Sequence, residues 1–261
     1  MINISEDWEF NLLGIYNYRK PGGFLEPYFD FVRENHSVIE GDLLEAGVFR
    51  GSSLLGMALM LKEMGSSKKI YGYDTWSGFP QVYRPEDGLD QWEALLKAGR
   101  ISVSHYEKTR RQVAHRSLGF SAGHKLDSSN ISTSGDFSSC SRDNLERKLQ
   151  YLGLNNVVLV EGDFARTMGK AALGGPSKLF AAIVDADLYE SYKVALPFIW
   201  SRLVRGGYMY LDEYYSLKFP GARIASDEFF AGRQDKPQRH ARENGHFERW
   251  FVRKLFDAES P

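Results

Sequence analysis

From residue 38 onward, five apolar runs alternate with segments of helical pattern, and each run ends in or beside an acidic residue or a glycine. They span 42–48 (DLLEAGV), 69–74 (KIYGYD), 156–162 (NVVLVEG), 179–185 (LFAAIVD) and 207–212 (GYMYLD). Short apolar strands separated by helices build a mainly parallel sheet with helices on both faces, so the alternation predicts an α/β fold. In open sheets of this kind ligands collect outside the carboxyl ends of the strands. The polar endings of the runs therefore mark the edge where a site belongs.

The connecting segments carry helix signals. Residues 52–65 (SSLLGMALMLKEMG) open with serines suited to an N-cap, close at Gly65 and are apolar enough to be buried against a sheet. In 141–154, Leu145, Leu149 and Leu152 recur at helical spacing, with Asp143 and Glu146 as a capping box and Gly153 as the stop. Residues 190–207 place Ala195, Leu196, Ile199 and Leu203 on one face and end at a glycine pair, with Pro197 as a candidate kink. The stretch 80–141 breaks the rhythm: an amphipathic candidate (90–99), a basic one (105–116) that reads as a solvated helix face, then a serine-rich tract (117–141). An insertion this long is either a functional lid or a disordered segment, and both readings stand. Near the end, 246–254 (HFERWFVRK) alternates like an edge strand with one buried face; Arg239 and Arg242 upstream are candidates for holding a nucleotide-sugar phosphate.

At 261 residues the chain has the size of one domain, 1–261, with residues 1–37 as an N-terminal helical extension and 80–141 as a lid or insertion. Thirty-three basic against thirty-four acidic residues leave a net charge of −1, which argues against a nucleic-acid or anionic-membrane partner. Cys140 is the single cysteine and cannot form an internal disulfide, and the first residues lack the pattern of a secretion signal. A cytoplasmic protein without a membrane span, capable of forming a homo-oligomer, is the expectation.

The turn LLEAGVFRGSS (43–53) places Glu45, Ala46, Gly47, Gly51 and Ser52 between the first strand and its helix. Glycine admits a ligand where a Cβ would collide, and the helix start offers free N–H groups. Val48, Phe49 and Arg50 replace the glycines of a dinucleotide fingerprint. A carboxylate at Glu45 repels a pyrophosphate and suits a ligand with an ammonium group, such as S-adenosylmethionine. Asp74 ends the second strand, where a carboxylate accepts ribose hydroxyls. Asp163 and Phe164 follow the third, placed to hydrogen-bond and cover an adenine; Asp163 reads equally as a turn residue.

Together the segments EGDLLEAGVFRGSS, YGYDTWSGFP, VEGDF, VDADLYESY and RGGYMYLDEYY resemble the macrocin O-methyltransferase family of class I S-adenosylmethionine-dependent methyltransferases, over about residues 38–80 and 136–230. The resemblance implies a Rossmann-like, mainly parallel seven-stranded sheet with helices on both faces. It also implies methyl-donor binding at Glu45, Gly47, Asp74, Thr75, Ser77, Gly78, Phe79 and Asp163, a magnesium site, and methylation of a sugar hydroxyl in a natural product, nucleotide sugar or glycan. Two departures stand out: Ala186 where the family has glycine between two aspartates, and Asp212-Glu213 where it has two aspartates.

Asp185 ends the fourth apolar run and Asp212 the fifth, with Glu213 adjacent. In a parallel sheet their carboxylates meet at one edge, where hard oxygen ligands suit magnesium or another divalent cation and relieve mutual repulsion. Asp185 is then the first candidate to hold the metal, contact the donor and accept the hydroxyl proton, with Asp187 second. The competing reading is that these acids cap helices or solvate loops. Tyr189 and Glu190 are candidates to orient the loop and Ser191 to cap the next helix, while His105, His115 and His124 in the insertion are rival bases. Tyr214, Tyr215 and Phe219 offer aromatic surfaces for a sugar acceptor or ordinary core. Three alternatives remain at this level: a metal-independent small-molecule methyltransferase; an NAD-dependent oxidoreductase or epimerase, for which Asp74 and the Tyr189–Lys193 spacing speak and the first turn does not; and a non-catalytic binding protein.

Overall fold

The first apolar run forms β1 (Asp42–Ala46), whose last four residues are all buried, including the glutamate. Burial on both faces is what a central strand between two helical layers requires. The computed structural model describes residues 4–80, 83–169, 174–240 and 247–256. Around β1, strands β2 (Ile70–Asp74), β3 (Val157–Glu161), β4 (Leu179–Val184), β5 (Leu203–Leu211), β6 (Gln238–Arg239) and β7 (Trp250–Arg253) complete a seven-stranded sheet ordered β3-β2-β1-β4-β5-β7-β6. The five predicted strands pair in parallel, and β7 runs antiparallel to β5 and β6. The order reverses direction between β1 and β4, which opens a crevice at their carboxyl ends.

Helices cover both faces. On one lie α1 (Asp7–Leu13), α2 (Glu26–Asn35) and α3 (Ser52–Glu63). Every residue of α3 from Leu54 to Leu61 is buried, since the N-terminal extension packs over its outer side; a Cβ on Gly56 would sit 2.7 Å from the Tyr16 carbonyl oxygen. Aromatic side chains of α2 reach the sheet directly, with Phe31 stacked on Tyr208 at 4.8 Å. The other face is covered by α7 (Phe164–Thr167), α8 (Tyr189–Arg202) and α9 (Pro220–Phe230), around Tyr73, Tyr192, Ile199 and Phe230. The helix α6 (Arg142–Leu152) precedes β3.

The 80–141 stretch carries structure among its described residues. A single 3-10 turn (Pro85–Asp87) leads to α4 (Gln91–Lys97) and α5 (Val103–Ser117), and Trp92, Leu95 and Ile101 pack with Ile224 of α9 into a small separate core.

Several local expectations are corrected. The third connecting helix ends at Arg202; Leu203 is already extended, and the glycine pair lies within β5, where Gly206 takes a φ of +83°. β7 is the penultimate strand, and the two-residue β6 forms the edge. Gly51, with φ +81°, occupies the N-cap of α3 instead of a serine. Ser141 caps α6 by accepting the Asn144 N–H at 3.3 Å, because Glu146 is held by Arg142 at 2.9 Å. Ser191 lies one turn inside α8, whose N-cap is Leu188. A leucine cannot satisfy the first free N–H groups, and the insertion supplies the acceptor: Asp87 Oδ1 takes the Tyr189 N–H at 2.8 Å. Asp87 is buried, its backbone carbonyl accepts the Ser128 hydroxyl at 2.8 Å, and a Cβ on Gly221 of α9 would lie 2.1 Å from Asp87 Oδ1.

Candidate active site

The crevice is a cavity of about 590 Å³ bordered by the carboxyl ends of β1, β2, β3 and β4. Its floor is the first turn. Gly47, at φ +88°, donates its N–H to the Tyr73 carbonyl at 2.9 Å, and Asp185 donates its own to the Ala46 carbonyl at 2.9 Å. The two strand ends approach so closely that a Cβ on Gly47 would fall 1.7 Å from the Asp185 carbonyl oxygen. Asp74 shapes the same turn: Oδ2 accepts the N–H groups of Val48 and Phe49 at 2.7 and 2.8 Å, and Oδ1 accepts that of Trp76 at 2.7 Å. With three backbone donors on its two oxygens, it organises the loop and keeps limited accepting capacity for a ribose.

Of the residues singled out from the sequence, Gly47, Ser52, Asp74, Thr75, Gly78, Phe79, Asp163, Phe164, Asp185, Asp187, Glu190 and Ser191 line the cavity. Glu45, Ala46, Gly51 and Ser77 do not. Glu45 lies behind the wall, 1% exposed, with Oε1 accepting the Ser53 hydroxyl at 2.6 Å and Oε2 without a hydrogen-bond partner. Burial, with Asp74 nearby, pushes its carboxyl up to about 8, against the weaker opposing effect of Ser53. Gly51 packs on Leu145, and Ser77 bonds back to Thr75. Asp163 Oδ1 also caps the short α7 through the Ala165 N–H at 2.7 Å.

Asp185, Asp187 and Glu213 form the polar centre, with one carboxylate oxygen of each within 4.8 Å of the others. Val184 and Leu211 are partners in the β4–β5 register, which places the residues following them side by side. Tyr192 reinforces the arrangement: it donates its hydroxyl to the Val184 carbonyl at 2.8 Å and accepts the Glu213 N–H at 3.3 Å. Asp212 stands beside the trio, its Oδ1 without a hydrogen-bond partner and 3.9 Å from the Arg249 guanidinium. The tight group thus contains Asp187, whereas the predicted set named Asp212 with Asp185 and Glu213. The reason is the backbone of the loop: Asp187 has a φ of +56°, and Leu188 donates its N–H to the Ala186 carbonyl at 2.5 Å, a tight three-residue turn that is strained for a residue with a side chain.

Burial and mutual repulsion dominate the electrostatics. Asp185 is pushed well above the usual carboxylate range by burial first and then by Asp212, Asp187 and Glu45. Asp187 is raised to about 7 by burial, opposed by Lys218, and Glu213 is raised by burial and by Asp212. In the absence of a cation, the native state therefore holds protons that the unfolded chain releases above about pH 4. Stability should therefore fall between pH 5 and pH 8, while the unfolded chain's carboxyls are ionised and those of Asp187, raised to about 7, and Glu45, raised to about 8, still hold their protons in the native state. Calorimetric melting in EDTA at pH 5 and pH 8 checks this; the slope should flatten in Glu45→Gln, and a Tm that rises over the interval contradicts it.

The histidines stand elsewhere. His105 is buried, its Nε2 2.6 Å from the Ser216 carbonyl and its ring stacked on Tyr215 at 4.1 Å; His115 and His124 do not line the cavity. Tyr214, Tyr215 and Phe219 are buried core or rim residues outside the lining. Tyr189 and Lys193 both bond Glu228 of α9 at 2.9 Å, so this Tyr–Lys spacing does not form an oxidoreductase pair in the cavity. Arg239 pairs with Glu248 at 3.3 Å, and Arg242 lies outside the described residues. Sequence reasoning missed part of the wall: Tyr16, Phe24 and Leu25 from the N-terminal extension, Phe137 from the insertion, and Arg84, which pairs with the foreseen Glu190 at 3.1 Å.

A sheet ordered β3-β2-β1-β4-β5-β7-β6 with one antiparallel strand, helices on both faces and its crevice outside β1 and β4 is the class I methyltransferase fold. The chain belongs to the macrocin-O-methyltransferase (TylF) family, whose model matches residues 29–116 and 119–239. It is 24% identical over 177 residues to the 8-demethyl-8-(2,3-dimethoxy-alpha-L-rhamnosyl)-tetracenomycin-C 4'-O-methyltransferase of Streptomyces olivaceus, covering 67% of this chain and 54% of that one. The match therefore spans about half of that relative's length. To the demethyldecarbamoylnovobiocin O-methyltransferase of Streptomyces niveus it is 23% identical over 232 residues, 88% of this chain and 72% of the relative. Among solved structures, the O-methyltransferase NovP superposes with a TM-score of 0.59 at 18% identity, over 95% of this chain and 80% of that one. The calicheamicin methyltransferase CalS11 gives 0.57 at 20%, over 88% and 77%. Among the described residues no helix is long and apolar enough to cross a membrane.

Proposed function

We propose that this protein is an S-adenosylmethionine-dependent O-methyltransferase that acts on a hydroxyl of a sugar in a natural product, nucleotide sugar or glycan, with a divalent cation held by Asp185, Asp187 and Glu213. The observation that carries the reading is the trio of carboxylates, Asp187 and Glu213 buried and Asp185 half-buried, with an oxygen of each within 4.8 Å of the others, of which Asp185 and Asp187 line the methyl-donor cavity. Glu213 Oε2 and, beside it, Asp212 Oδ1 are buried without hydrogen-bond partners, a state that buried acids rarely tolerate. The donor set is all oxygen and acidic, which fits magnesium. Both relatives are named as O-methyltransferases, one for the 4' hydroxyl of a rhamnosyl compound.

In this reading the turn at Gly47, Thr75, Gly78 and Phe79 holds the donor, and Asp163 and Phe164 flank its adenine. A divalent cation, when bound, lowers the cost of deprotonating a hydroxyl and fixes its oxygen. Asp185 accepts the hydroxyl proton, and Asp187 and Glu213 hold the site. The strained turn at Asp187 keeps its carboxylate against Glu213. Phe24, Leu25 and Phe137 exclude water from the reacting centre and offer an apolar face to the acceptor.

Incubation with S-adenosylmethionine and a panel of glycosides and nucleotide sugars, with and without EDTA and read by mass spectrometry, tests the proposal. A product gaining one methyl group only in the EDTA-free arm is expected. Equal product in both arms removes the cation from the reading, and donor binding without any product supports a binding protein instead. Independently of turnover, millimolar magnesium should raise the Tm of the wild type at pH 8 and leave that of Glu213→Gln nearly unchanged, measured by scanning calorimetry.

A further inference from the structure

A second concavity, about 980 Å³, lies on the other side of Arg50 from the methyl-donor cavity, and Arg50 borders both. One wall is a single face of α6, where Asn144, Arg147, Lys148 and Tyr151 recur at helical spacing. Across from it stand Leu13 at the end of α1 and the loop at Ser139 and Cys140.

Among the described residues, three cations line this groove and no carboxylate does. The contrast along α6 is informative. Arg142 ends between Glu146 and Glu161, at 2.9 and 2.7 Å, whereas Arg147 and Lys148 make no salt bridge among the described residues. Lys148 reaches across the groove, its Nζ 3.5 Å from where a Cβ on Gly14 would stand. Burial lowers its affinity for a proton, and so does the like charge of Arg50. Arg50 is fixed by its bonds to the Ser139 carbonyl and hydroxyl at 2.8 and 2.9 Å, and it faces Lys148 with no salt bridge of its own among the described residues. Like charges held together in a chain of net charge −1 are an arrangement that a bound anion stabilises. The rest of the lining asks for more than a bare anion: Tyr151 is a 56% exposed ring one helical turn from Lys148, and Leu13 and Leu145 give the groove an apolar side.

We propose that this groove binds a nucleoside diphosphate, with the diphosphate among Arg50, Arg147 and Lys148 and the base against Tyr151. Charge-assisted bonds from guanidinium and ammonium groups suit phosphate oxygens, and an exposed aromatic ring suits a base of any identity. The proposal is independent of methyl transfer, because it concerns binding outside the donor cavity. Through Arg50, beside Phe49 at 4.9 Å, occupancy reaches the wall of that cavity.

Titration calorimetry of the full chain with UDP, UDP-glucose and inorganic pyrophosphate tests it; uridine compounds keep adenine out of the donor cavity. UDP or UDP-glucose should bind the wild type at or below about 1 mM. Binding should weaken at least about tenfold in R147A/K148A. In Tyr151→Ala, the uridine ligand should weaken about fivefold or more, while pyrophosphate binding stays unchanged. Binding of either uridine compound, lost in this way, upholds the site, and the tighter of the two distinguishes a free nucleotide from a sugar-bearing one. No heat with either, binding undiminished in R147A/K148A, or pyrophosphate as tight as UDP overturns it. Circular dichroism and an unchanged affinity for S-adenosylmethionine in the variants separate loss of this site from loss of fold.

Discussion

Asp185→Asn should lose methyl transfer by a factor of about 10² to 10⁴, the usual contribution of a positioned general base, while S-adenosylmethionine affinity stays within a few-fold of wild type. The substitution is nearly isosteric, and the backbone of residue 185 is held by its N–H bond to the Ala46 carbonyl at 2.9 Å, so the donor turn should remain in place. What changes is charge and proton affinity. In the cation-free protein that change should stabilise: Asp185 is half-buried beside Asp187, Asp212 and Glu45, and each repels its ionised form. A higher Tm in EDTA together with a collapsed kcat is therefore the joint expectation. Calorimetric titration with the donor, turnover by mass spectrometry and thermal melting read the three quantities separately. Wild-type turnover would move the proton acceptor to another residue, Asp187 first, and a lower Tm would refute the repulsive cluster.

Gly47→Ala should have the largest effect on folding. A Cβ at this position would sit 1.7 Å from the Asp185 carbonyl oxygen and 2.7 Å from its carbon, and both are backbone atoms of the neighbouring strand end. The φ of +88° adds a left-handed strain of about 1–2 kcal/mol for a residue with a side chain. No side chain can yield to relieve the overlap, so β1 and β4 must separate where the site is assembled. A cost of about 3 kcal/mol or more is expected, corresponding to a Tm lower by roughly 6–12 °C for a domain of this size, or to a chain that fails to fold. Gly65→Ala is the matched control: it has a comparable φ of +65° with no atom within 4 Å of the added Cβ, and should cost only the strain. Equal melting of the two variants would show that β1 and β4 approach less closely than described.

The sheet was legible because its signal is local. A buried parallel strand is a short run of apolar residues, and each of the five runs became one. The acids at their tips were legible for the same reason, since parallel strands bring their carboxyl ends to one edge. Which carboxylates meet was not, because Asp187 joins Asp185 and Glu213 through a left-handed backbone angle that no aspartate announces. Nor was the direction of Glu45 legible: the pleat turns its side chain to Ser53 of α3. Caps were misplaced by two residues at α6, where Ser141 and not Asp143 is the cap, and by three at α8, because several polar residues compete within four positions. The walls contributed by Tyr16, Phe24 and Phe137 depend on contacts between distant segments, for which a single sequence carries no periodic signal.

The aspartate that caps α8 from the insertion limits how this scaffold can be remodelled. Asp87 is 102 positions from the N–H it satisfies, and that N–H opens the helix immediately after the carboxylate loop. Residues 80–141 therefore cannot be exchanged as a free cassette. A donor segment lacking an acid at this point would leave the loop frayed, so a working chimaera must import its own anchor or retain this one together with Gly221, the only size of residue that the Asp87 carboxylate leaves room for.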